Sequence, residues 1–144
     1  MGFLKSLFGS SSNNLGLHDE ELGELKSLRV KGSDVTWSGE TKFLDQTVSI
    51  YIHGSPEKLN DTERAKILEI LSNQTVIEKE INIALKDQYE NAEKDYSNWS
   101  DHFNCISVTA SGKEIEITFE EKESLYHFNV FFLDNKGTGV SIDS

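Results

Sequence analysis

The hydrophobic period of this chain changes twice, and that change restricts its fold more than any other feature of the sequence. Thr47 to His53 alternates, with Val48, Ile50 and Ile52 on one side and Ser49 and Tyr51 on the other. Alternation of that kind marks a strand with one face buried. After Gly54-Ser55-Pro56 the apolar spacing becomes three and four. Arg64, Ile67, Leu68 and Leu71 make one helical stripe, and Ile77, Ile81, Ala84, Leu85, Gln88 and Tyr89 begin a second that reaches on to Ala92 and Tyr96. Beyond Trp99 the period of two returns: Ile106, Val108 and Ala110, then Ile115, Ile117 and Phe119, then Phe128, Val130 and Phe132. Strands therefore precede and follow a helical middle. That order predicts an α+β fold: an antiparallel sheet from N-terminal and C-terminal strands, with two central helices packed on one face.

Local signals set the expected boundaries. The turn cluster Lys31-Gly32-Ser33-Asp34 sits inside a predicted three-stranded antiparallel meander. Asn60 with Glu63, and Thr75 with Glu78, spell capping boxes at two helix starts, and Asn73 is expected to end the first helix. About four strands should follow, closed by a hairpin turn at Asp134-Asn135-Lys136-Gly137 in which Gly137 takes the positive φ.

The length of 144 residues suits one domain, placed at 16–144. Residues 1–15 read as a flexible tail, with a polar linker at Ser10 to Asn14. Phe3, Leu4, Leu7 and Phe8 fall at helical spacing, but Lys5 interrupts the run and argues against a signal peptide. Gly2 and Ser6 match a short acylation pattern. A tail that docks its apolar residues is the favoured reading.

A single cysteine, Cys105, excludes an internal disulfide and a thiolate zinc site built from one chain. It suits a reducing, cytoplasmic setting. No apolar run approaches the ~20 residues of a transmembrane helix. The net charge of −11 repels phosphate backbones, so nucleic acid is not an expected partner. The same charge attracts a basic protein, although its simplest use is to keep a chain in solution.

No residue pattern specifies catalysis. His18, His53, His102 and His127 show neither i, i+4 helical spacing nor an H-E-x-x-H motif, so no metal or cofactor is expected. Cys105 has His102 three residues away, but its neighbours Asp101 and Asn104 do not make the positive setting a thiolate needs. A buried small residue is the expected role. Glu114, Glu116 and Glu120 share one strand face and Glu121 follows them. They form either a solvated outer face or an acidic docking surface. Trp99, in an aromatic and polar loop, either plugs the end of the core or anchors a partner.

Leu22-Gly23-Glu24-Leu25, then Trp37-Ser38-Gly39, then a valine-isoleucine strand resemble a family of small bacterial proteins of unknown function. Those proteins open with an L-G-x-L … W-x-G strand pair, pass through a helical middle and end in a β-meander. They are loosely similar to immunity-like proteins of bacterial toxin systems. The resemblance spans roughly residues 15–142 and implies a structural motif with no catalytic residue.

The expectation is thus a non-catalytic protein-binding domain, of which an immunity-type inhibitor of a basic toxin is one form. Glu114, Glu116, Glu120 and Glu121 would steer the partner and Trp99 would anchor it. An enzyme or small-ligand-binding domain with a site assembled from distant residues is the alternative. A self-associating structural protein is the third.

Overall fold

A computed structural model describes residues 14–144; the readings made on residues 1–13 lie outside it. The elements run β1 (Gly16–Asp19), β2 (Gly23–Lys31), β3 (Asp34–Phe43), β4 (Gln46–Gly54), α1 (Asp61–Ser72), α2 (Gln74–Asn91), α3 (Trp99–His102), β5 (Phe103–Ser111), β6 (Glu114–Glu121), β7 (His127–Leu133) and β8 (Lys136–Asp143). The strands form one eight-stranded sheet in sequence order. Its pairs are antiparallel except at β4–β5, which is parallel. Parallel neighbours need a long crossover, and here α1 and α2 are that crossover. The architecture is the expected α+β one, with a fourth N-terminal strand, β1, added to the predicted three.

Period two explains which face is buried. Cross-strand register aligns Ile50 with Val108, Val108 with Ile117 and Ile117 with Val130. All four are fully buried, as are Ile67, Ile77, Ile81 and Leu85 from the two helices. This single apolar layer between helices and sheet is the core.

The two short motifs behind the family resemblance meet in space. Leu22 and Leu25 are buried and Gly23 sits at φ 81° between them, a left-handed conformation that glycine adopts without strain. Trp37 is fully buried with its indole N–H on the Ser55 carbonyl at 3.0 Å. Gly39 leaves room for Leu25: a Cβ there would lie 2.5 Å from Leu25 Cδ2.

Several local expectations shift. Asn60 caps α1, its side chain accepting the Glu63 N–H at 3.0 Å, but Glu63 does not reach back. Its carboxylate takes the backbone N–H of His53 and of Gly112, each at 2.9 Å, and tethers the end of β4 to the β5–β6 turn. Asn73 ends α1 as expected and also precedes α2, which starts at Gln74. Thr75 is inside α2, and the Glu78 carboxylate serves Trp99 instead. The β7–β8 turn places its positive φ at Asp134 and Asn135 rather than at Gly137. That is a two-residue turn matched to the twist of a hairpin, in which Asn and Asp tolerate the left-handed region. Leu15, assigned to the tail, is already tied to β2 through both its N–H and its carbonyl.

Candidate functional site

The helices cover one face of the sheet and leave the other uncovered by any described element. Residues of the opposite parity point there. Ser49, Ser107, Thr118, Asn129 and Ser141 stand opposite one another across β4 to β8 and make one polar row. Thr118 and Asn129 are buried by their neighbours, so their polar atoms need partners. Thr118 donates to Asn129 Oδ1 at 2.8 Å, and Asn129 Nδ2 donates to Ser141 at 3.2 Å and to Asp143 Oδ2 at 2.8 Å. That network fixes the Asp143 carboxylate on the outer face.

The rows on either side carry the charge. Glu116 pairs across with Phe131, and Glu120 with His127, which in turn faces Asp143. Glu114 lies opposite Leu133 one step further along β6. Glu114, Glu116 and Glu120 are therefore on one face, with Asp143 two strands away and the half-buried Phe131 among them. Partial burial pushes the Glu116 carboxyl upward, and the nearby Asp143 and Glu114 charges push it further. Like charges disfavour the ionised form when no cation answers them. Within the patch, His127 Nε2 reaches Glu120 at 3.5 Å. An arginine or lysine supplied from outside would answer the rest, and a guanidinium bridging two carboxylate oxygens is the geometry that does so best.

The other two residues singled out from the sequence face inward. Glu121 is 4 % exposed, because alternation along β6 sets it beside Phe119 on the helix side. It accepts hydrogen bonds from Tyr89 and from Ser124 Oγ (2.6 Å), with Lys94 Nζ at 3.6 Å. Burial alone would raise its pKa; the Ser124 and Tyr89 bonds and the Lys94 charge outweigh burial and lower it. Trp99 is 2 % exposed, packs edge-on against Phe119 and donates its indole N–H to Glu78 at 2.8 Å. Neither residue offers surface to a partner. Asp143 and Phe131 were not singled out from the sequence. Alternation along β7 was enough to place Phe131, but the face of Asp143 depends on an irregularity at Phe131/Phe132 that shifts the β7–β8 register by one residue and is not written in the turn.

The histidines are dispersed. His18 contacts Glu24, His53 contacts Glu63, His102 stacks on Tyr96 and His127 meets Glu120. Among the described residues no group of three or more histidine, cysteine or acidic side chains is placed to hold a metal. Cys105 is buried, and burial pushes its thiol up to about 12. It is no thiolate at neutral pH. No described helix is long and apolar enough to cross a membrane. The chain matches no family, no curated protein and no solved structure.

Proposed function

We propose that this is a non-catalytic binding protein whose uncovered sheet face engages a basic protein. An immunity-type inhibitor of a basic toxin, acting in the cytoplasm, is the particular form of that role. The observation that supports it is Glu116, whose carboxyl is raised by burial and by Asp143 and Glu114. A surface tuned only for solubility gains nothing from crowding unanswered carboxylates around Phe131. A surface waiting for arginine or lysine gains a ready binding energy.

Binding of a cation returns the Glu116 pKa toward its ordinary value and so expels a proton. Affinity therefore rises with pH through the carboxylate range. The test is affinity capture from the native host's lysate at low and high salt, with the wild-type chain and the Glu114→Gln/Glu116→Gln/Glu120→Gln variant as baits. A basic protein retained at low salt by the wild type and lost with the variant is the expected result. Equal capture by both baits, or an empty capture with the wild-type bait, overturns the reading and returns the question to an enzyme or ligand site assembled from distant residues.

A further inference from the structure

The two edges of the sheet are built differently. β1 is four residues long, and Asp19 at its end is clamped by Arg64 of α1 at 2.7 Å. β8 is eight residues long, contains no proline and has no described strand beyond it. A long open edge is a template for another strand, and proteins usually blunt such edges with charge, proline or a cover. Gly137 and Gly139 remove side chains from this one: a Cβ on Gly139 would meet nothing within 4 Å.

An open groove of about 530 Å³ runs between β8 and α2. Ile83, Ala84 and Val140 give it an apolar lining, and Ile83 is 59 % exposed. Glu80, Asp87 and Glu90 stand along its helix side. Glu80 already accepts the Gly137 N–H at 3.0 Å. The cation in its lining is Lys86, within 4.0 Å of Glu90. On the other face of the same edge stands Asp143. Carboxylates thus flank β8 on both faces of the sheet.

We infer that β8 accepts an added strand from a basic protein, in an extended cationic segment with one apolar residue at its centre. This rests on the basic partner proposed above and names how it is held. Main-chain hydrogen bonds to β8 supply affinity and alternate side chains supply selectivity. On the helix side an apolar side chain lies beside Ile83 and Val140, between cations that meet Asp87 and Glu90. On the outer face the remaining cations meet Asp143 and the Glu116 patch. A second copy of this chain fits less well, because it would bring its own Glu80, Asp87, Glu90 and Asp143 to the same edge, and like charges placed opposite destabilise a strand pair.

The probe is an acetylated heptapeptide of lysines with one valine at its centre, with its diastereomer of alternating D and L residues as control. Amide hydrogen exchange is followed by NMR on the full chain. In the free protein, alternate β8 amides exchange fast; the peptide slows them, and the diastereomer, unable to form a regular strand, binds at least about tenfold more weakly. Asp87→Lys/Glu90→Lys, two exposed positions that leave the core untouched, weakens the peptide by about tenfold. Equal binding of both peptides, an unaffected charge-reversal variant, or β8 amides already slow in the free chain each overturns the inference. The last result would mean that residues 1–13 or a second copy occupies the edge. Capture that depends on Glu114, Glu116 and Glu120 while β8 stays unprotected sinks the edge and spares the face. Protection of β8 with capture indifferent to those three residues does the reverse.

Discussion

Asp19 and Glu116 are both strand carboxylates, and their neighbours drive them in opposite directions. Arg64 donates two hydrogen bonds to Asp19, and that pairing, with the Leu22 and Glu21 N–H groups, pulls its pKa from 3.8 down to about 2. A depressed carboxyl contributes stability above its unfolded pKa and loses it as the pH falls through the folded value. Asp19→Asn should therefore cost about 1–2 kcal/mol at neutral pH, discounted for solvent screening, and almost nothing near pH 2. Urea unfolding across that range measures it. Glu116 carries the opposite sign. Its raised pKa makes the native state hold the proton longer, so the penalty is absent below the ordinary value of 4.5 and grows as the pH rises past it. Glu116→Gln should stabilise the free protein at neutral pH by on the order of 0.5 kcal/mol while weakening capture of the basic partner. A variant that is neither more stable nor weaker in binding would contradict both assignments. The sequence showed that Glu114, Glu116 and Glu120 share a face, because period two is strictly local. It was misread at Glu121, where the same alternation already placed the side chain with Phe119; its charge made it look like surface, and only Tyr89, Ser124 and Lys94 explain how it lies inside.

The helices and turns show how far local motifs reach. The Asn60 cap was legible because its acceptor and donor are three residues apart. The second half of that box was not, because Glu63 finds partners ten and forty-nine residues away. Truncation should separate the two roles. Asn60→Ala loses one cap bond and should cost about 1 kcal/mol. Glu63→Ala removes a buried side chain and the acceptor of the His53 and Gly112 N–H groups, and should cost about 2–3 kcal/mol. Equal losses in thermal unfolding would reduce Glu63 to an ordinary helix residue. Strand glycines separate in the same way. A Cβ on Gly54 would lie 2.3 Å from the Lys58 carbonyl oxygen, against backbone that cannot swing aside, whereas at Gly39 it meets the movable end of Leu25 at 2.5 Å. Gly54→Ala should cost about 2–3 kcal/mol and Gly39→Ala about 1 kcal/mol; the reverse order in urea midpoints would show that the β4–α1 loop yields. Sequence alone marked Gly54 as a pattern break and gave no sign of the Leu59 bridge that closes over it.

The acidic balance acts on the protein as a unit. With a net charge of −11, the compact state repels itself, and salt screens that repulsion over a Debye length of about 10 Å at 0.1 M. Raising ionic strength should lift the Tm of the free protein while slowing its association with a basic partner. Calorimetry and stopped-flow mixing read the two trends, and parallel movement of both would exclude electrostatic steering. Block order in the sequence was enough to give the α+β class and the helices on one face. It could not give the parallel junction, since nothing local distinguishes a strand that pairs with its neighbour from one that pairs across a crossover. That junction aligns Ser49 with Ser107, Ile50 with Val108 and Tyr51 with Thr109, and it is where the two four-stranded halves of the sheet join. Each half consists of hairpins between strands adjacent in the chain, which close in microseconds. The junction must first bring together residues separated by roughly sixty positions, an entropic toll that falls on the slowest step. On this reasoning the halves should take shape early as separate ribbons, and the protein should become one body only when Ile50 and Val108 meet beneath the helices that link them.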